Sequence, residues 1–144
     1  MKILLTAFII ALSMNSFAQE ERSPKFTCVE NESGAEYFVL IGNKFPQIPD
    51  RDYSSQLQIV EKDNYYDGTA YLQDIFTIKN ITEDSFETEV LQLENEGINQ
   101  GSISLKLNNN GRLIQTFIMP QEHAEILGIE DTTMILEFSC SAFK

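Results

Sequence analysis

The sequence predicts an all-β fold: a small antiparallel meander of about eight strands, barrel-like, with a two-sheet β-sandwich as the alternative. Three observations predict it. Short runs of β-branched, aromatic and aliphatic residues alternate with turn-forming clusters. Two of these runs show period-two alternation of apolar and polar residues. The two cysteines, Cys28 and Cys140, lie near opposite ends of the predicted domain.

The first 18 residues have the three parts of a secretory signal peptide. Lys2 is the basic start, Ile3 to Leu12 is the apolar core, and Ser16 and Ala18 are the small residues of a cleavage site. The core is shorter than the roughly 20 apolar residues that span a bilayer. We therefore expect export to the periplasm or the medium and cleavage near Ala18. No cysteine follows that site directly, so we expect a soluble product without a membrane anchor.

After cleavage, the sequence predicts a flexible leader over residues 19–24 and a single β domain over residues 25–144. The precursor has a formal net charge of −12, and the loss of Lys2 makes it −13. This acidity disfavours a nucleic-acid partner, because phosphates would be repelled at long range. We expect a monomer or weak oligomer.

Eight segments have strand character. They span residues 25–30, 36–41, 56–62, 69–79, 85–93, 102–108, 112–119 and 132–142. Turn sequences separate them, at 31–34 and at Asp67-Gly68 for example. Asn110-Gly111 is the strongest hairpin signal, because this pair readily adopts positive φ angles. Residues 120–127 are the one segment with helical character, from Pro120 to a stop at Gly128.

The alternating runs predict which strand faces are buried. One set shares an apolar face in the sixth predicted strand: Ile103, Leu105 and Leu107. Another set shares an apolar face in the last: Met134, Leu136, Phe138 and Cys140. We expect both faces to lie against the core.

Both cysteines fall on the apolar phase of their strands, since Cys28 alternates in step with Phe26. An exported protein meets an oxidising compartment, so we expect a Cys28–Cys140 disulfide between the first and last strands. Such a bridge would close the meander into a barrel or lock the two sheets of a sandwich. It closes a loop of about 113 residues, which by chain entropy stabilises the fold by about 4–5 kcal/mol.

No catalytic, nucleotide-binding or cofactor motif is present, so we predict no cofactor and favour a non-enzymatic role. His123 is the only histidine, which excludes a multi-histidine zinc site. Acidic clusters occur in predicted turns, at residues 50–52, 83–84, 94–96 and 130–131. Two such carboxylates could serve a hydrolase only if the fold assembled them.

Residues 63–74 partly match a calcium-binding EF-hand loop. Asp63, Asp67 and Asp74 would occupy ligand positions, but Tyr65 stands where an Asp or Asn is expected. The flanks also have strand character, so a hairpin turn with acidic residues at its tip is the preferred interpretation. The calcium site remains a weak candidate.

Tyrosines in the predicted loops form the candidate binding surface: Tyr53, Tyr65 and Tyr66. Tyrosine offers a large contact area and a polar tip, which suits recognition. The alternative is that these rings cover one end of a barrel.

The sequence therefore predicts an exported, non-enzymatic β domain that binds either a small apolar ligand or another protein. The alternative is a small exported hydrolase whose carboxylates assemble only in the folded state. An internal cavity lined by Phe and Tyr would favour the carrier, and two carboxylates of raised pKa in a cleft would favour the enzyme. A filled core with an exposed apolar patch would favour protein binding.

Overall fold

The computed structural model describes residues 23–42, 54–66 and 75–144. The strands are β1 (Phe26–Glu30), β2 (Glu36–Ile41), β3 (Gln56–Glu61), β4 (Phe76–Ile81), β5 (Phe86–Thr88), β6 (Leu91–Asn95), β7 (Ile98–Leu107), β8 (Arg112–Ile118) and β9 (Thr133–Ala142). Two short helices accompany them, α1 (Lys62–Tyr66) and α2 (Gln121–Leu127). The predicted signal peptide and most of the leader lie outside the described residues and stay predictions.

Eight of the strands close into an antiparallel meander barrel. Side by side they run β5, β4, β3, β2, β1, β9, β8 and β7, and β5 pairs with β7 to complete the ring. The ninth strand, β6, pairs only with the first half of β7. The predicted barrel is confirmed, and the first and last strands are neighbours in it.

The barrel interior is filled by inward-facing side chains from every barrel strand. The buried members of this core are Phe26, Cys28, Val39, Leu57, Phe76, Phe86, Leu105, Leu107, Leu113 and Phe138. Each is at most 6% exposed. These side chains form one buried cluster inside the barrel.

The disulfide predicted between the two ends of the domain is present. Cys28 and Cys140 are register partners on β1 and β9, with their Cα atoms 4.0 Å apart. Cys28 is fully buried. The bridge therefore joins the first strand to the last across the seam of the barrel.

The single strand predicted over residues 85–93 is wrong in one respect, because the chain forms two strands there. β5 pairs with the end of β7, and β6 pairs with its beginning. Between them, the Glu89 N–H turns away and donates to the Thr77 carbonyl at 2.8 Å. A change of hydrogen-bond partner does not alter the alternation of apolar and polar residues. The sequence therefore does not show this break between strands.

β7 begins at Ile98, whereas the sequence predicts a start at residue 102. The reason is a tight hairpin turn at Glu96 and Gly97, whose φ angles are 51° and 78°. A type I′ hairpin turn needs positive φ at both central residues. Glu rarely adopts such an angle, so this turn has no clear sequence signature.

Residues 62–66 form α1, so the acidic hairpin predicted at 63–68 is wrong over this span. The helical turn is held by its aromatic residues, which pack against Phe38 on β2. Asp67, Gly68 and most of the strand predicted over 69–79 lie outside the described residues, and β4 runs from Phe76 to Ile81.

The helix predicted over residues 120–127 is confirmed as α2. Pro120 precedes its first turn, and Gly128 ends it in the left-handed conformation with a φ of 68°. Neither described helix is long and apolar enough to cross a membrane.

Candidate interaction surface

The first half of β9 extends beyond its neighbour β1. β1 pairs with β9 only over residues 138–142, and the ladder ends where the Asn31 N–H donates to the Glu137 carbonyl at 2.9 Å. The chain then turns at Asn31 to Gly34 to begin β2. β8, in contrast, follows β9 down to Thr133. Within the described residues, Thr133 to Leu136 thus have a strand partner on one side only.

This overhang exposes the apolar side chains on both faces of β9. Met134 and Leu136, on the inward phase with Phe138, are 53% and 37% exposed, and Ile135 on the opposite phase is 58% exposed. The expectation that Met134 and Leu136 are buried is therefore wrong. Alternation predicts which side chains share a face, but burial also needs a neighbouring strand that closes over them.

The connection from β8 to β9 carries further exposed apolar side chains. α2 is anchored by Ala124, which is fully buried, while Ile126 and Leu127 are 82% and 61% exposed. The Ile129 N–H donates to the Ala124 carbonyl at 2.9 Å, which fixes the exit from the helix. Ile129 itself is 44% exposed.

We define the tip surface as the exposed apolar side chains of the β8–α2–β9 hairpin: Ile118, Ile126, Leu127, Ile129, Met134, Ile135 and Leu136. These seven are among thirteen exposed large apolar side chains in the described part of the chain. They fall within residues 118–136, so the exposed apolar groups are concentrated in one hairpin and not scattered singly.

The electrostatics of the hairpin are one-sided. Four acidic residues accompany the apolar ones: Glu122, Glu125, Glu130 and Asp131. No Lys or Arg occurs from Leu113 to Phe143. Asp131 is held at the entrance to β9, where its Oδ1 accepts the Thr133 N–H at 2.9 Å. The tip surface therefore combines apolar side chains with negative charge only.

Two of the three tyrosines in the predicted binding surface meet on the outer wall of the barrel. The ring centroids of Tyr65 and Tyr66 lie 5.1 and 5.9 Å from that of Phe38, both edge-on. Tyr66 is 67% exposed. Tyr53 lies outside the described residues. A role for these tyrosines in binding stays a prediction.

The calcium candidate can be followed only in part. Asp63 lies in the first turn of α1, and Asp67 and Asp74 fall outside the described residues. No group of three or more His, Cys, Asp or Glu side chains that could hold a metal ion occurs within 23–42, 54–66 and 75–144.

The acidic clusters of the hydrolase alternative lie at different places in the fold. Residues 83–84 follow β4 and residues 130–131 precede β9. Residues 94 and 95 end β6 and only Glu96 lies in the turn to β7, so the prediction that this cluster lies in a turn is wrong for two of its three residues. Residues 50–52 are outside the described part. Asp84 accepts a hydrogen bond from the Thr82 hydroxyl at 3.1 Å.

Two carboxyl groups have a displaced pKa, in the direction opposite to that of a general acid. Hydrogen bonds from Ser33 and from the Glu32 N–H lower the pKa of Glu30. The hydrogen bond and charge of Arg112 lower the pKa of Glu137. Both carboxylates are thereby held in the ionised form.

Two open grooves lie side by side on the described surface. One of about 550 Å³ is lined by outward-facing side chains that include Lys79, Glu87 and Lys106. Another, of about 430 Å³, lies next to it at the β4–β5 turn. Neither is an apolar chamber within the barrel.

Sequence reasoning missed the tip surface, although one signal was present. Met134, Ile135 and Leu136 are three consecutive apolar residues. A half-buried strand has a polar residue at alternate positions, so Ile135 departs from the pattern.

Comparison with protein-family models, with curated protein sequences and with solved structures finds no match to this chain.

Proposed function

We propose that this chain is an exported, non-enzymatic β domain that binds another protein through the tip surface. The observation that carries the proposal is the concentration of seven exposed apolar side chains within residues 118–136. Exposed apolar side chains concentrated in one segment are a feature of protein interaction sites. A closed barrel is a rigid support for such a hairpin.

The signal-peptide pattern of residues 1–18 supports export. The Cys28–Cys140 disulfide supports it independently, because disulfides persist chiefly in oxidising compartments. The small-ligand carrier has less support, since the described inward-facing side chains, Phe76, Leu113 and Phe138 among them, pack into one buried cluster.

Site-specific photo-cross-linking tests the proposal. A photoreactive residue is placed at Leu127 on the tip surface and, as a matched control, at Val90 in the connection between β5 and β6, outside the tip surface. These two positions are similarly exposed, at 61% and 58%. Both proteins are produced and irradiated in the cell of origin, and cross-linked products are identified by mass spectrometry.

The partner is then purified and titrated against the variants Leu127→Asp and Val90→Asp. We expect Leu127→Asp to weaken binding by about tenfold or more, because it buries a charge in an apolar contact. Val90→Asp should change the affinity less than about twofold. Equal cross-linking at both positions, or a partner insensitive to Leu127→Asp, would contradict the proposal.

A further inference from the structure

We infer that the tip surface takes an extended peptide segment, apolar at its centre and flanked by Lys or Arg, which adds a strand to the open edge of β9. The inference rests on the proposed function and specifies the partner and how it binds. It draws on three features: the direction of the free backbone groups, the lack of edge protection, and the placement of charge.

The backbone of Ile135 points toward the open edge. The Glu137 carbonyl bonds to Asn31 on the β1 side, whereas the Cys140 N–H bonds to the Gly111 carbonyl on the β8 side. Successive residues of a strand direct their N–H and C=O to opposite sides. Ile135, two residues before Glu137, therefore directs both its N–H and its C=O away from β8, where an added strand could bond to them.

The Asp131 side chain already caps the Thr133 N–H at the start of the open edge of β9, but the stretch from Met134 to Leu136 lacks the usual protection against strand addition. Thr133 to Leu136 contain no charged residue, proline, glycine or bulge. Another edge within the described residues, β6, is protected by a register shift at Leu93 and Glu94 and by the charge of Glu94. Because exposed sheet edges are normally protected in this way, the unprotected stretch of β9 is suited to accept a strand.

The exposed side chains define what the added strand would need. A strand paired with Ile135 lies beside Met134 and Leu136 on the barrel-mouth face and beside Ile135 on the outer face. All three are apolar and exposed. Apolar residues at three consecutive positions of the partner would cover them.

Charge restricts the flanks of the partner segment. Glu130 and Asp131 lie at one end of the open edge, and Glu32 lies in the turn at the other end, next to Asn31. No Lys or Arg lies between Leu113 and Phe143 to offset them. Cationic flanks would be attracted, while a second copy of this chain would bring the same acidic groups together. The acidity of the hairpin therefore favours a basic partner over a homodimer.

The test uses the full mature chain and a synthetic probe, acetyl-Lys-Lys-Ile-Val-Ile-Val-Lys-Lys-amide. A second peptide of the same sequence carries N-methyl groups on all four central amides, which removes the backbone donors on both edges of the added strand without changing the charge. Binding is measured by fluorescence anisotropy at low and high salt. We expect the probe to bind, and N-methylation to weaken it by about tenfold, the cost of a lost hydrogen bond to a buried partner.

A protein variant gives the reciprocal measurement. Ile135→Pro removes the edge N–H but no bond to β8, and Ile135→Val is the matched control. We expect Ile135→Pro to weaken probe binding by about tenfold and Ile135→Val to leave it within about twofold. If Ile135→Pro fails to fold, the N-methylated peptide with the wild-type protein still decides the question.

The outcomes separate the inference from the proposed function. Equal binding of both peptides, or no binding of either, overturns strand addition. A second possible result is that the binding of the cross-linked partner depends on Leu127 but not on the edge N–H of Ile135. That result overturns strand addition and leaves the proposed function standing. Sedimentation that shows a dimer of the wild type, lost in Ile135→Pro, would assign the edge to a second copy and overturn the basic partner.

Discussion

Cys28 and Cys140 are direct register partners, so the disulfide crosses the seam between the first and last strands of the barrel. Its two cysteines are separated by 112 positions in sequence. The hydrogen-bonded ladder of β1 and β9 closes the barrel at the same place. The disulfide and the hydrogen bonds between β1 and β9 therefore close the barrel at the same place.

Removal of the bridge should destabilise the barrel strongly. We expect the double variant C28A/C140A to lose about 4–5 kcal/mol of unfolding free energy, because the unfolded chain regains the entropy of an open loop. Urea unfolding monitored by far-UV circular dichroism measures this. The wild type with reductant present is the control and should show a similar loss. A loss below about 1 kcal/mol would contradict the entropic account.

Gly111 should tolerate no side chain. Its φ is 82°, and an added Cβ would lie 2.6 Å from the Cys140 carbonyl oxygen. Gly97 has a similar φ of 78° but nothing near its Cβ position. We expect Gly97→Ala to cost about 1 kcal/mol from backbone strain alone, and Gly111→Ala to cost at least about 2–3 kcal/mol. Equal losses in urea unfolding would show that the contact with Cys140 relaxes freely.

Alanine substitutions of Phe138 and Phe143 should differ sharply in how much they destabilise the protein. Phe138 is 2% exposed in the core, and Phe143 is 42% exposed beside Phe38. We expect Phe138→Ala to cost about 3–5 kcal/mol through lost burial and a cavity. Phe143→Ala should cost about 1 kcal/mol, the scale of one aromatic contact. Thermal unfolding would rank the variants, and the reverse order would refute the assigned core.

Glu30 should make stability depend on pH. Its carboxylate accepts the N–H groups of Glu32 and Ser33 at 2.9 and 2.8 Å, and its pKa is lowered by the hydrogen bonds to these residues. A group with a lowered pKa in the folded state stabilises the fold above its ordinary pKa, 4.5 for Glu30. That contribution is lost as the pH falls through the folded-state value.

We therefore expect Glu30→Gln to destabilise the protein at pH values above that ordinary pKa and to converge with the wild type in strong acid. Glu32→Gln removes a charge from the same turn without those two bonds and serves as the control. Urea unfolding across the pH range measures both. A Glu30→Gln effect that is constant with pH would contradict an ionised acceptor.

The parts of the fold that the sequence predicts are those with strong local patterns. The Asn110-Gly111 turn, the Pro120-to-Gly128 helix and the paired cysteines each leave a local mark. The Glu96-Gly97 turn and the break at Glu89 do not, because both depend on which strand lies alongside. The tip surface was missed for the same reason. The exposure of Met134 is decided by where β1 ends, which is a property of a strand more than 100 positions away.

The position of the barrel seam also has a consequence for folding order. β1 cannot find its second neighbour until β9 exists, and β9 ends two residues before the C-terminal Lys144. Barrel closure thus needs contacts that span nearly the whole domain, which makes it intrinsically slow. The ring can close only after β9 has been synthesised and released, so a nascent chain stays open-edged until residues 133–142 emerge.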